Sequence, residues 1–295
     1  MLKKLRLSGF IALLLIYISA AILGIFIFMN LPGAYLYVRL CAADVAATIF
    51  IYIFSLILGN ASVYDPYWSV APIVILPLTA AYLKIWNTGV MLIIGIIMFW
   101  GLRLTLHWAT TFKNLSVQDW RYTNLKASKP KLWFITNLFG IHLFPTLVVF
   151  FVMMPAIIFI SDFTVFNIGI VLGSLISIFA IMMQAMSDRQ MSRFRKNGTG
   201  GVNREGLWKY MRHPNYLGEI LMWWGVFLMA YFADQRLWFC VFGAILNTLM
   251  FIFISVPMLE ERELKSKPEY VEYKENTGML LPNLKLILEE RFVYK

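Results

Sequence analysis

Charged side chains are scarce in this chain: Asp, Glu, Lys and Arg make up 14% of its 295 residues, whereas 60% are hydrophobic and the mean hydropathy is +0.71. This balance excludes a soluble globular domain. Both cysteines, Cys41 and Cys240, fall in apolar segments without metal-ligand spacing, which argues against a disulfide framework and against a zinc site. Internal repeats are missing too, so nothing suggests a transporter built from inverted repeats.

Apolar runs fill most of the chain, each close to the roughly 20 residues that a transmembrane helix needs. We therefore predict an all-α polytopic membrane helical bundle with about eight transmembrane helices, or seven if the third or the seventh run does not span. The first run is longer than the hydrophobic region of a cleaved signal peptide and predicts a retained helix. The runs are 10–29, 36–58, 70–83, 88–108, 133–160, 163–186, 217–232 and 237–258.

Basic residues are confined to a few loops, although the net charge is +10. If the N-terminus is cytoplasmic and eight helices span, nearly all loop cations lie on the cytoplasmic side, and both termini are cytoplasmic. The opposite loops hold Lys84 and Arg236. This pattern is typical of membrane topology and argues against nucleic-acid binding. It predicts a multi-pass protein of the bacterial cytoplasmic membrane, or of the endoplasmic reticulum in a eukaryote.

The densest polar cluster is segment 206–219, which lies between two apolar runs. Arg212 offers a planar fork for a phosphate group. Asn215 follows Pro214 at the predicted start of a helix, where free N–H groups and the helix dipole favour an anion. We therefore expect an anionic cofactor to bind at this segment.

Two further residues of the cluster have more than one interpretation. His213 either binds the cofactor or locks the loop by hydrogen bonds, and it is a weaker candidate for a proton donor. Glu219 lies one turn into the next span, where Arg212 or Tyr216 is expected to satisfy its charge. Glu219 then either orients the cofactor or neutralises its neighbour.

The glycine-rich stretch Gly198-Thr199-Gly200-Gly201 is not a dinucleotide fingerprint. It lacks the spacing, the preceding strand and the partner acid of a Rossmann motif. We predict a flexible turn, so phosphates would have to be bound by side chains.

Short motifs in both halves of the chain point to one family. The C-terminal half contains Asp188, Phe194, Gly206-Leu207-Trp208, Arg212-His213-Pro214-Asn215-Tyr216 and Glu260-Glu261; the N-terminal half contains Asp65-Pro66-Tyr67-Trp68, Leu102-Arg103-Leu104 and Asp119-Trp120-Arg121-Tyr122. In these motifs the chain resembles the membrane reductases that include steroid 5-alpha-reductases and sterol reductases. The resemblance divides one integral membrane unit into N-terminal transmembrane helices, 1–55, and a reductase-like domain, 56–295.

This resemblance implies that NADPH binds from the cytoplasmic side and that hydride is delivered to a carbon–carbon double bond. The implied substrate is lipophilic, such as a steroid-like, enone or polyprenyl compound lying among the helices beside membrane lipid. No metal is implied. The cofactor-binding residues that the resemblance implies are Asp188, Arg193, Lys196, Arg204, Tyr210, Arg212, His213, Asn215, Tyr216, Glu219 and Glu261.

Reduction of an enone requires a donor that polarises the carbonyl as negative charge develops on its oxygen. The steroid reductases resembled here use a glutamate just after the second span and a tyrosine in a neighbouring helix. Asp65 is the nearest match to the acid, and Trp100 stands where the tyrosine is expected. Tyr122 is then expected to supply the hydroxyl in place of that tyrosine. The predicted catalytic residues are Asp65, Tyr122 and Arg103.

Other interpretations stay open for these acids and hydroxyls. Tyr64 or Tyr67 could supply the hydroxyl instead, and Asp65 before Pro66 is equally typical of a helix N-cap. Asp44, in an apolar run, is expected to have a structural partner. His142 and Gln184 are expected to bond neighbouring helices.

Two rival functions remain. Membrane methyltransferases of the isoprenylcysteine or phospholipid type share an Arg-His-Pro segment, a following span and a Glu-Glu tail, and they bind S-adenosylmethionine. A non-enzymatic lipid-binding protein is the other alternative. The extended basic loop before Gly206 and the segments around Asp65 and Arg103 favour the reductase.

Overall fold

The computed structural model of the chain describes residues 2–162, 166–198 and 200–283. Within these ranges the regular secondary structure is helical, and no strand is formed apart from one isolated bridge between Met211 and Gly278. Among the described residues, eight helices are long and apolar enough to cross a membrane, which confirms the predicted helix count and the all-α class.

Two compact units divide the chain, Met1–Thr164 and Val165–Lys295. The helices of the first unit are α1 (Leu2–Asn30), α2 (Leu36–Ile57), α3 (Tyr67–Leu83), α4 (Thr88–Thr111), α5 (Trp120–Ser128), α6 (Trp133–Ile135) and α7 (Phe144–Asp162). A short helical turn, Ala61–Tyr64, precedes α3, and a π-helical segment, Thr136–Leu143, joins α6 to α7.

In the described part of the second unit, the chain forms a short helical turn, Gln235–Cys240, and six α-helices. These helices are α8 (Ile168–Lys196), α9 (Leu207–Tyr210), α10 (Pro214–Ala233), α11 (Val241–Met250), α12 (Val256–Ser266) and α13 (Tyr270–Asn276). A π-helical segment, Phe251–Ser255, makes α11 and α12 continuous, so the last span runs on as a charged helix.

Several helix starts are fixed by side chains that accept a backbone N–H of the first turn. Asn87, Asp119 and Asn167 cap α4, α5 and α8 in this way. The expected start of the sixth span, Phe163, lies outside the described residues. In the glycine-rich turn, Gly198, Gly200 and Gly201 have positive φ, and Thr199 lies outside the described residues.

The contact between α8 and α10 depends on glycine. A Cβ added at Gly225 would lie 2.8 Å from the carbonyl oxygen of Gly173, and one added at Gly218 would lie 2.8 Å from the carbonyl oxygen of Ala180. Ser177 Oγ donates to the carbonyl of Met222 at 3.1 Å across the same contact. Small residues let the two backbones approach closely, as in other membrane helix pairs.

Replacing Gly225 by alanine should therefore lower the free energy of unfolding by about 1–3 kcal/mol, because the added methyl group meets backbone that cannot move aside. Thermal and denaturant unfolding of the detergent-purified protein, followed by circular dichroism, measures this. Gly95→Ala is the matched control, since nothing lies within 4 Å of a Cβ added there. Equal stability of the two variants would contradict the packing argument.

Candidate functional site

The first unit contains a paired carboxyl and phenol. The hydroxyl of Tyr122, in the first turn of α5, donates to Asp65 Oδ1 at 2.8 Å. Both side chains are partly buried. Arg103, the third predicted catalytic residue, lies half-buried on α4. The structure thus joins two of the three predicted catalytic residues by a direct hydrogen bond.

The loop before α5 is tied to the helical turn before Asp65. Gln118 Oε1 accepts the N–H of Ala61 at 2.9 Å, and the N–H of Asp119 donates to Ser62 Oγ at 2.8 Å. These bonds join segments that are 57 residues apart in sequence. They fix the start of α5, and with it Tyr122, beside Asp65.

Asn60, not Asp65, provides the helix cap. Its side chain accepts the N–H of Ser62 at 2.8 Å. Asp65 itself has helical φ and ψ of −50° and −43°, and α3 follows Pro66 without a side-chain cap. The N-cap interpretation of Asp65 is therefore wrong, because the chain is already helical at this residue and its carboxylate is free to accept from Tyr122.

Burial, followed by the nearby negative charge of Asp65, raises the pKa of Tyr122 well above its ordinary value. The phenol therefore stays protonated at physiological pH and can act as a hydrogen-bond donor.

The two alternative hydroxyls are engaged elsewhere. Tyr67 donates to Asp44 Oδ1 at 2.7 Å, which confirms the expected structural partner for this acid. The hydroxyl of Tyr64 bonds that of Thr146 at 2.7 Å, and Thr146 bonds Thr48 at 2.9 Å. Hydroxyl groups inside the first unit thus satisfy one another.

His142 lies in the π-helical segment, fully buried, with its Nδ1 donating to the carbonyl of Asn137 at 3.0 Å. Its ring packs near Tyr52 and Tyr64, with centroids 5.4 and 4.8 Å away. The expected bond to a neighbouring helix is therefore wrong for His142, because its hydrogen bond stays within the segment Thr136–Leu143 and only its ring contacts other segments.

In the second unit, Glu260 is a buried carboxylate with three basic partners. Oε1 accepts from Arg212 Nε at 2.7 Å and from His213 Nε2 at 2.9 Å, and Oε2 accepts from Lys274 Nζ at 2.9 Å. Glu260 is 4% exposed and Arg212 is 8% exposed. The guanidinium also donates to the carbonyls of Lys274 and Thr277.

The tail after α12 folds back along the segment before α10. The N–H of Arg212 donates to the carbonyl of Gly278 at 2.8 Å, and that of His213 donates to Met279 at 3.1 Å. The hydroxyl of Tyr273, on α13, donates to the carbonyl of Trp208 at 2.5 Å. The tail therefore determines the shape of the Arg212 segment.

His213 is 1% exposed, and its ring stacks on Tyr216 with centroids 5.4 Å apart and planes 7° apart. Nε2 bonds Glu260, whereas Nδ1 has no hydrogen-bond partner among the described residues. A buried nitrogen without a partner is costly, so this atom is a candidate contact for a ligand.

Glu219, on α10, accepts from Gln184 Nε2 at 3.0 Å and from Trp223 Nε1 at 2.9 Å. Gln184 thus bonds a neighbouring helix, as expected. Arg212 and Tyr216 are the partners that the sequence predicts for Glu219. Arg212 forms its ion pair with Glu260 and not with Glu219.

The remaining predicted residues are spread along the second unit. Asp188, Arg193 and Lys196 lie near the end of α8, and both cations are exposed. Tyr210 ends α9 and accepts the N–H of Asn283 through its carbonyl at 3.0 Å.

The last three predicted residues have clear positions. Asn215 is in the first turn of α10 and partly buried. Arg204 is exposed and forms an ion pair with Glu272 at 2.7 Å. Glu261 is exposed and pairs with Lys265 at 2.5 Å.

Sequence reasoning missed Glu260, Lys274 and Thr277 as site residues and chose Glu261. A signal for Glu260 does exist, since the buried Val256 lies one turn before it and places Glu260 on the inward face of α12. No comparable signal marks Lys274, because only the folded tail brings it to the carboxylate.

Replacing Glu260 by alanine should lower the free energy of unfolding by about 3–5 kcal/mol, because it leaves the buried Arg212 without its carboxylate. Glu261→Ala is the matched neighbour and should leave the free energy of unfolding nearly unchanged, since its pair with Lys265 is exposed to water. Denaturant unfolding in detergent, followed by tryptophan fluorescence, compares the two. Similar losses of unfolding free energy in the two variants would contradict the assignment of Glu260 as the buried, paired carboxylate.

Comparisons with known proteins assign the chain to a family. Residues 51–277 match the family DUF1295, described as a protein of unknown function. An uncharacterised protein of Schizosaccharomyces pombe, C594.04c, is 22% identical over 209 residues, covering 63% of this chain and 61% of that protein. Methanethiol S-methyltransferase 1 of Bradyrhizobium diazoefficiens is 38% identical over 78 residues, covering 26% of this chain and 24% of that protein.

Each alignment thus spans less than two thirds of the relative's length. No solved structure matches. Since the family match covers most of the chain and the fold has eight helices of membrane-spanning length, the protein is a multi-pass membrane member of the DUF1295 family.

Proposed function

We propose that the protein is an NADPH-dependent membrane reductase that saturates a polarised carbon–carbon double bond in a lipophilic substrate. The hydrogen bond between Tyr122 and Asp65 carries this proposal. It joins a phenol and a carboxyl, the two group types that an enone reductase uses to stabilise developing negative charge on oxygen.

Tyr122 acts as the donor to the substrate carbonyl. Because burial and the Asp65 charge raise its pKa, the hydroxyl remains protonated and polarises the carbonyl through a hydrogen bond. The phenol has one O–H proton, so in the complex with substrate it turns from Asp65 Oδ1 to the substrate carbonyl, and the loop bond between Ser62 and Asp119 keeps the two side chains adjacent. A proton from water completes the saturated product.

The second unit supplies the residues that fit an anionic dinucleotide. Arg193, Arg195 and Lys196 are exposed at the end of α8, and none forms an ion pair with a described residue. Together with the unpartnered Nδ1 of His213 and the first turn of α10 at Asn215, they suit the phosphates and polar ring substituents of NADPH.

NADPH, when bound, supplies the hydride that adds to the β carbon of the double bond. The chain's own contribution is to bind the phosphates with cations and to keep His213 in place through Glu260. Arg212 supports this arrangement indirectly, since its guanidinium is engaged with Glu260 and with the tail.

A methyltransferase is the second candidate. The 38% identity over 78 residues with a methanethiol S-methyltransferase favours it, and the Arg-His-Pro segment is compatible with either activity. S-adenosylmethionine is a cation at its sulfur and carries no phosphate, so it has less need of the basic end of α8. This difference favours NADPH and also gives a direct test.

NADPH at about 100 times its Kd should stabilise the protein by about 2.7 kcal/mol, because a ligand that binds only the native state shifts unfolding by mass action. Thermal-shift titration of the detergent-purified protein with NADPH, NADH and S-adenosylmethionine measures this. Asn215→Ala should weaken the NADPH effect, and the exposed Asn30→Ala should not. Stabilisation by S-adenosylmethionine alone would move the protein to the methyltransferases, and no effect from any of the three would favour a non-enzymatic lipid binder.

Tyr122→Phe should lower kcat for NADPH oxidation with enone lipids by about 10²–10⁴-fold and leave NADPH binding unchanged, because it removes only the hydrogen-bond donor. Tyr35→Phe is the control, since Tyr35 is 73% exposed and distant in sequence from the pair. The raised pKa of Tyr122 further predicts no loss of rate from its ionisation up to about pH 10. An unchanged kcat in Tyr122→Phe would refute the donor role.

A further inference from the structure

A cavity of about 430 Å³ lies among α1, α3 and α4, entirely within the first unit. This volume is within the range of about 300–1,000 Å³ that small-molecule sites occupy. The α1 wall includes Phe10, Leu14, Tyr17 and Ala21. These positions follow the helical spacing of three and four residues, so they form one stripe about 16 Å long along α1.

The lining offers almost nothing for a polar ligand. Its two hydroxyl-bearing residues, Tyr17 and Thr105, are already engaged: Tyr17 donates to the carbonyl of Val63 at 2.7 Å, and Thr105 bonds Ser69 at 2.8 Å. The rest of the surface is carbon, including Val70. An occupant that fits this surface is a hydrocarbon chain, whose burial needs no hydrogen bond.

One end of the cavity adjoins the proposed donor pair. Pro66, which follows Asp65 directly, contributes to the lining. The hydroxyl of Tyr17 donates to the carbonyl of Val63, two residues before Asp65. A chain in the cavity could therefore belong to a molecule whose reactive group lies at Asp65 and Tyr122.

The α1 wall is held in place at the same end. Arg6 donates to the carbonyl of Ala109 at 2.7 Å, and the ring of Phe10 packs on Trp108 and Phe112 with centroids 6.0 and 4.8 Å away. Leu14, by contrast, is 60% exposed, so the cavity is open toward the bilayer side of α1. A lipid tail can therefore enter the cavity laterally, from the bilayer side of α1.

We infer that this cavity binds the hydrocarbon tail of the substrate and that α1 determines which tail lengths fit. The family match begins at residue 51, so α1, Leu2–Asn30, lies outside it. The inference rests on the proposed reductase function for the identity of the reacting group, but tail binding itself does not require activity.

Photolabelling tests the inference without an assay of activity. The full-length protein in phosphatidylcholine nanodiscs is irradiated with palmitic acid that carries a terminal diazirine, and labelled residues are located by mass spectrometry. Labelling at the cavity residues Val70, Val74 and Trp108 should saturate with probe, and saturated fatty acids of increasing length should compete up to a defined optimum.

Two variants fill the cavity from opposite walls, Ala21→Phe on α1 and Val74→Phe on α3. Each should weaken saturable labelling about tenfold and shift the competition optimum to shorter acids, because the added ring occupies the space of the tail. Ile22→Phe and Leu78→Phe are the matched controls, since both positions are exposed and outside the lining. They should leave labelling unchanged.

Labelling that rises in proportion to the probe, spreads over exposed residues such as Ile22 and ignores both filling variants would overturn the inference and assign the cavity to bulk lipid. Failure of the proposed reductase function would be seen separately, as absence of NADPH binding in a protein whose saturable labelling persists.

Discussion

An ionised carboxylate withdrawn from water must be paired, and Glu260 is the residue at which the second unit meets this requirement. Its partners come from the segment before α10 and from the tail after α12. Arg212 and His213 both bond the Glu260 carboxylate, and their backbone N–H groups donate to the tail. The segment that carries them is therefore fixed against α12 and against the tail. The first turn of α10 and the ring of His213 are thereby held in one arrangement, in which Nδ1 of His213 has no hydrogen-bond partner within the part of the chain that the structure describes.

The same requirement organises the first unit through carboxyl and hydroxyl groups. Tyr67 donates to Oδ1 of Asp44, and the hydroxyls of Tyr64 and Thr146 bond each other, so these buried oxygen atoms are paired within the unit. Asp65 differs, because its partner Tyr122 comes from a loop helix held by polar bonds at the surface. The pair of Asp65 and Tyr122 is thus partly exposed, whereas the pairs formed by Tyr67 and by Tyr64 are buried.

The helices were the predictable part of this fold. A run of apolar residues long enough to span forms a helix whatever its neighbours, since each backbone group must be bonded within the segment. The short third and seventh runs became complete spans because helical residues outside the apolar stretch extend them, from Ala61 and from Pro214. The return of the tail could also be predicted, from Pro268 and the charged continuation of the last helix.

Partners at the site were harder to predict than residue types. Tyr122 and Asp65 are 57 residues apart, and three tyrosines of suitable chemistry were available to the acid. Glu260 and Glu261 are adjacent and chemically identical, yet one is buried and the other is paired in water. Composition and hydrophobic spacing by themselves determined a helical membrane protein with a polar segment before its seventh span. Tertiary structure decided which acid is buried, which phenol it meets and where a cavity remains, because those outcomes depend on distances between segments far apart in the chain.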